Sequence, residues 1–276
     1  MDEKVQLELM TPGEIVAARE RCPVAYVPVS PLEWHGPHLP LGTDGLTAHY
    51  VAVAVARRTG GVVLPPLFVG TETVRPHGDG AGRLGPLGFD AGERIVGMDF
   101  PGNSVRSLYY EESVFGIVVR ETVRLLKAEP YRLIVLVNGH GAENHKRTLQ
   151  RIAAEETAPP RVGVILPSPG SGSRPSNMDP GHAERWETSM MMAIAGPHVR
   201  LSELPPMGQP LRYRDYGIVN GRAFDGYPTP DFTVPHEADP RLSTREEGEM
   251  LLQKGVERIA DDVRRTLDEL LAASSE

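Results

Sequence analysis

The chain has 276 residues, 40% apolar and 24% charged, with a formal net charge of −8 at pH 7. That balance excludes a mainly disordered protein, and the acidic total argues against a nucleic-acid surface as the main business. Apolar runs such as residues 51–56 and 133–137 fall far short of the ~20 residues that a membrane span needs. The acidic opening MDEKVQLELM lacks the basic-then-apolar order of a secretory signal, so the expectation is a cytoplasmic protein with no membrane or nucleic-acid partner. Cys22 is the only cysteine, which excludes an internal disulfide and a thiolate zinc cluster. Any bound metal must be held by histidines and carboxylates.

Glycine (29 residues) and proline (26) make up a fifth of the chain, which implies many structured turns between short elements. In chain order, a strand is predicted over residues 24–29 and an alanine- and valine-patterned helix over 45–58. A short strand follows over 62–67. Residues 112–127 carry Val114, Ile117, Val118, Val123, Leu125 and Leu126, suited to a packed helix. The aliphatic run at 133–137 predicts a strand buried on both faces. A helix over 143–156 and a strand over 162–166 come next, then a Pro-, Gly- and Ser-rich loop over 167–180. A helix is expected over 184–195 and an irregular Pro-, Gly- and Tyr-rich layer over 205–240. Ser243 and Glu246 form a capping-box pattern ahead of a last helix with an apolar stripe at Leu252, Val256, Ile259, Val263, Leu267 and Leu270. Strands alternating with helices predict one α/β domain over 1–276, with a mainly parallel sheet covered on both faces.

Three clusters carry chemistry. The first, residues 31–44, reads PLEWHGPHLPLGTD and follows the first strand. Glu33 and His35 are two apart, so an extended backbone points both to one side, and Asp44 follows a Pro- and Gly-rich loop. Glu, His and Asp together suit a borderline divalent ion such as zinc, manganese or iron. Read alone, such a segment is more often a polar loop whose acids and histidines cap helices. The second cluster, NGHGAEN at 138–144, follows the strand at 133–137. Ligands of an open parallel sheet gather beyond the carboxyl ends of its strands, so His140 is expected on the same rim as Glu33, His35 and Asp44. Gly139 and Gly141 would permit an unusual turn or a close approach. The third cluster, GHAERWETS at 181–189, offers His182 and Glu187, with Trp186 able to stack on a flat substrate; the competing use is ordinary helix-start chemistry.

Taken in order, the three clusters resemble the signatures of the creatininase (creatinine amidohydrolase) family. Those run close to E-x-H-G-x-H-L-P-L-G-T-D, then N-G-H-G-G-N or N-G-H-Y-E-N, then H-A-G-x-x-E-T-S. A weaker match is Phe100-Pro101-Gly102-Asn103 to F-P-G-T. The resemblance implies a three-layer αβα sandwich and a two-metal hydrolase, often assembled from dimers into a hexamer. It implies Glu33 and His35 on different metals, Asp44 bridging them, His140 as a further ligand and His182 as the catalytic histidine. Ala142 stands where some members carry a ligand carboxylate. The fifth ligand is therefore expected to be Glu187, with Glu143 as runner-up. Glu184 stands where the family's glycine is usual.

The reaction implied is metal-dependent hydrolysis of a cyclic amide or formamide in a small polar substrate, with a metal-activated water as nucleophile and His182 moving a proton. The alternatives are opening of an oxidised inositol or related cyclic ketone, and a non-catalytic metal- or ligand-binding protein on the same fold. A homo-oligomer is expected, because Tyr213, Tyr216, Phe224, Tyr227 and Phe232 have little regular structure around them. Residues 80–85 match G-x-G-x-x-G but lack the strand before and helix after that a dinucleotide site requires.

Overall fold

The computed structural model describes residues 4–72, 74–75, 95–100, 103–167, 181–219 and 233–274. The discounted G-x-G-x-x-G match at 80–85, most of the loop at 167–180, and Phe224, Tyr227 and Phe232 lie outside these residues. The strands are β1 (Val24–Val29), β2 (Val62–Val63), β3 (Val74–Arg75), β4 (Ile95–Val96), β5 (Leu133–Asn138) and β6 (Gly163–Ile165). The helices are α1 (Pro12–Arg21), α2 (Thr43–Thr59), α3 (Glu112–Ala128), α4 (Glu143–Glu156), α5 (Arg185–Ala195), α6 (Tyr213–Tyr216) and α7 (Arg245–Ala272).

Four strands form a parallel sheet in the order β2-β1-β5-β6, while β3 and β4 make a separate antiparallel pair. The alternation of a strand sorts its side chains between two layers. Val24 and Tyr26 of β1, with Leu133, Val135 and Val137 of β5, pack with α2 and α7. Ala25, Val27 and Val29, with Ile134 and Leu136, pack with α3 and α4. Both faces are thus buried, which is why β5 reads as a nearly continuous aliphatic run. The result is the expected α/β architecture, a parallel sheet between two helical layers.

Several elements differ from expectation for local reasons. Strand β2 stops at Val63 because Pro65 and Pro66 follow it, and proline donates no ladder hydrogen bond. Beyond them the chain pairs with β1 through an isolated bridge between Leu67 and Val29. Helix α3 has the expected span but a rotated buried face. Phe115, Val119, Val123 and Leu126 point inward, while Val114, Ile117 and Leu125 are exposed. Helix α1 carries too few apolar positions to show as a stripe; only Ala18 is buried. It is set instead by a reciprocal capping box between Thr11 and Glu14, with Pro12 in the first turn. Helix α7 is capped one residue later than predicted, by Thr244 accepting from the Glu247 amide, because the Ser243 hydroxyl is donated to the Arg185 carbonyl.

Helices α5 and α7 approach backbone to backbone. A methyl group on Gly248 would lie 1.9 Å from the Ser189 carbonyl oxygen and 2.8 Å from the Met190 amide nitrogen. Gly248→Ala is therefore expected to lower stability by about 1–3 kcal/mol, the usual cost of overpacking. Gly116→Ala in α3 is the control. There the nearest atom to the added carbon is Thr148 Cγ2 at 3.5 Å, and alanine's helix preference should leave stability unchanged or raised by about 0.5–1 kcal/mol. Denaturant unfolding of both variants checks the pair. Equal midpoints would refute the close approach.

Candidate metal centre

Strands β1 and β5 are neighbours in register, Val29 opposite Asn138, so the chain leaves both at one rim of the sheet. From β1 it carries Glu33 and His35; from β5 it carries His140. Asp44 comes from the first turn of α2. The two loops are locked together at short range. Ser30 Oγ accepts from the Gly139 amide at 3.1 Å, and the Asn138 side chain bonds both the amide and the carbonyl of His140. A Cβ on Gly139 would sit 2.2 Å from the Asp44 carbonyl oxygen. Of the two uses read for Gly139 and Gly141, the close approach is realised at Gly139, and neither residue has positive φ.

The four side chains converge and are buried, each 4% exposed or less. The Asp44 carboxylate is split between two histidines, Oδ1 lying 3.1 Å from His35 Nε2 and Oδ2 3.0 Å from His140 Nδ1. Glu33 Oε2 is 3.1 Å from His140 Nδ1 and 3.8 Å from His35 Nε2. His35 Nδ1 donates to the Glu33 carbonyl at 3.0 Å, a bond that fixes the tautomer and turns Nε2 into the cluster.

The third motif reaches the same place. Glu187 Oε2 lies 3.7 Å from His35 Nε2 and accepts from the Ala183 amide at 2.6 Å. His182 lies against His35 with ring centroids 4.3 Å apart and planes tilted by 35°. Its Nε2 donates to the Trp34 carbonyl at 2.7 Å, leaving Nδ1 at 3.9 Å from Glu33 Oε2. Glu184, in the usual glycine's place, caps α5 by accepting from the amides of Trp186 and Glu187. Gly181 has no side chain to collide with that carboxylate, 2.9 Å from where its Cβ would be. Ala183 between them takes φ +52°.

Burial and mutual attraction set the charges. Burial disfavours a charged His35 ring, but Asp44, Glu187 and Glu33 together push its pKa up to about 10. His140 is raised in the same way by Glu33 and Asp44 against the cost of burial. Those histidines in turn hold Asp44 below the usual carboxylate range, and His140 with His182 lowers Glu33, in each case against burial. His182 goes the other way: burial and the nearby His35 lower it to about 3, so it is a neutral base at pH 7. His38, which pairs with the Thr188 hydroxyl at 2.9 Å, is lowered to about 3 by burial and by His35 and His182.

All six expected site residues therefore meet at one point. Glu143, the runner-up ligand, does not: it is on the surface of α4, its side chain 70% exposed and paired with Lys146 at 3.4 Å. Trp186 packs on Ala238 and Leu251 as part of the core, away from any flat-substrate role. Two residues escaped the motif reading in whole or part. Tyr109, a few residues after the F-P-G match, donates to Glu33 Oε1 at 2.5 Å. Glu72 Oε2 lies 3.7 Å from His140 Nε2, and no motif pointed to it.

The donor set fits divalent ions. Three overlapping groups have ligand atoms within 4.8 Å of one another: Glu33 with His35 and His182, Glu33 with Asp44 and His140, and His35 with Asp44 and Glu187. Among the described residues the ion-pair partners of Glu33 and Asp44 are all histidines. Buried carboxylates without Lys or Arg need another positive charge. What fold and site define is a parallel αβα protein with a buried His/carboxylate cluster at the strand ends. The family model for creatininase (creatinine amidohydrolase) matches residues 8–263, and the chain belongs to that family. It is accordingly a metal-dependent enzyme of amidohydrolase type. A creatinine amidohydrolase of Pseudomonas putida is 24% identical over 265 residues, 87% of this chain and 88% of its own. The solved manganese creatininase aligns over 96% of this chain and 99% of its own, with 23% identity and a TM-score of 0.62. A glutamate-to-glutamine creatininase variant complexed with creatine aligns over 95% and 98%, with 23% identity and a TM-score of 0.60.

Gly139→Ala should force His140 away from Asp44, since the new methyl has no space at 2.2 Å from a carbonyl oxygen. The expected outcome is loss of divalent-metal binding at the His140 side of the cluster, with the protein still folded. Equilibrium dialysis against zinc beside the wild type measures it, and unchanged stoichiometry and affinity would refute it.

Proposed function

We propose that the chain is a two-ion hydrolase of a cyclic amide or formamide in a small polar substrate. The observation that carries this reading is the divided Asp44 carboxylate, one oxygen toward His35 and the other toward His140. One side would be completed by Glu33 and His140, the other by His35 and Glu187, with Asp44 common to both. The bound ions, zinc, manganese or iron, would lower the pKa of a water and polarise the substrate carbonyl. What falls to the chain is orientation and proton movement. His182, neutral at pH 7, presents Nδ1 toward the cluster while Trp34 holds its Nε2–H. That atom can take a proton and return it to a leaving nitrogen. His182 also lies within ligand distance of Glu33 and His35.

A panel of variants tests the assignments. Purified protein should carry about two divalent ions per chain by elemental analysis. Asp44→Asn should deplete both. Glu187→Gln should loosen one ion, whereas Glu143→Gln should match the wild type. His140→Ala should lose metal first and turnover as a consequence. His182→Ala should keep both ions and lose ~10²–10⁴-fold in kcat, measured on whichever cyclic amide or formamide a hydrolysis screen identifies. If His182→Ala loses metal as His140→Ala does, its role is that of a ligand. No turnover of any amide or cyclic ketone at full metal occupancy would leave a non-catalytic binding protein.

The reading extends to a cytoplasmic homo-oligomer, a hexamer or other dimer-based assembly, that binds neither nucleic acid nor membrane. No helix among the described residues is long and apolar enough to cross a membrane. Tyr213 no longer supports the assembly, being buried against Phe100 within the chain. The exposed apolar face of α3, at Val114, Ile117 and Leu125, supports it instead. Light scattering at micromolar concentration should give a mass above that of one chain; a sharp monomer would refute the assembly.

A further inference from the structure

The His140 ring is addressed from both ends. Its Nδ1 faces Asp44 and Glu33, while Nε2 is buried without a hydrogen-bond partner, 3.7 Å from Glu72 Oε2. An imidazole whose Nδ1 lone pair is committed to an ion carries its proton on Nε2. A buried N–H left unpaired is unfavourable. Glu72 is placed to accept it after a ring shift of under ~1 Å, giving a bond of ordinary length.

Glu72 runs close past a glycine. Gly97, in the turn after β4, has φ +57°, and a Cβ on it would lie 2.2 Å from Glu72 Cγ and 2.6 Å from Tyr109 Oη. The missing side chain at Gly97 thus leaves room for the two side chains that brace the cluster from outside. Tyr109 engages Glu33 Oε1, leaving Oε2 for the His140 side. We infer that Glu72 is a positioning residue for His140, accepting its Nε2–H so that Nδ1 is fixed as the ligand atom. This rests on the two-ion reading of the site. A carboxylate behind a metal-bound histidine orients the ring and raises its basicity, and removing such a partner typically costs ~10–100-fold in metal affinity.

The test uses the full chain, stripped of metal and titrated with cobalt(II) alone, following its visible absorption and competition with a chromophoric chelator. Thermal unfolding of each variant is measured alongside. Glu72→Ala is expected to weaken one of the two cobalt sites ~10–100-fold and leave the other unchanged. Glu72→Gln, which keeps an acceptor oxygen, should recover most of the affinity, which general structural damage would not allow. His140→Ala should abolish the same site. Wild-type affinity in Glu72→Ala would overturn the inference, as would a Glu72→Gln variant no better than alanine, which would make Glu72 a ligand or a mere packing residue. If the wild type itself binds no cobalt, the two-ion reading fails and this inference with it. If Glu72→Ala does not fold, the comparison of Glu72→Gln and Glu72→Asp decides. Asp shortens the reach by one methylene and should bind cobalt more weakly than Gln.

Discussion

One carboxylate organises the molecule's functional end. Asp44 is buried, and each of its oxygens is committed to a different histidine. A buried acid in that position is tolerable only because positive charge surrounds it, from protons on His35 and His140 or from cations that replace them. Its place in the first turn of α2 adds the favourable end of the helix dipole. The position is strict, since Gly139 passes so close to the Asp44 carbonyl that no side chain fits between. Move Asp44, and the strand ends no longer share a centre.

The remaining site residues are recruited by elements distant in sequence. Parallel pairing of β1 and β5 puts two loops on one rim, which accounts for Glu33, His35 and His140. The third motif arrives by another route. His182 is paired through its backbone with Val219, and Glu187 is aimed by the first turn of α5, whose cap is Glu184. Glu184 is fully buried and accepts two backbone amides. Its departure from the family's glycine is a capping solution, with the space supplied by Gly181. The motif's backbone remains unusual at this point, as the positive φ of Ala183 shows.

Around the cluster lies a layer of neutral or hydrogen-bonded groups. His38 and His145 are buried and kept neutral by burial and by neighbouring histidines. His145 accepts weakly from the Thr71 amide, stacks on Phe115 and meets His140 edge-on. Burial and two nearby carboxylates hold the Tyr109 phenol far above its ordinary pKa, so it stays a donor. Such a shell limits how far the inner side chains can rotate.

By itself the sequence determined the parts whose signal is local. The aliphatic run of β5 announces a strand buried on both faces, and β1 and α4 fall where they were predicted. Glu33, His35, Asp44, His140, His182 and Glu187 stood out because each lies in a short segment dense with ligand-type residues. Only the tertiary structure could show which of Glu187 and Glu143 faces the rim, because that depends on helix orientation: α5 turns Glu187 inward, α4 turns Glu143 to solvent. The buried face of α3 was equally undecidable, since apolar residues lie on both of its sides and the sheet selects one. Glu72 and Gly97 left no trace in any motif. Their importance is a contact between backbone and side chain from separate segments, and such contacts exist only after the chain has packed.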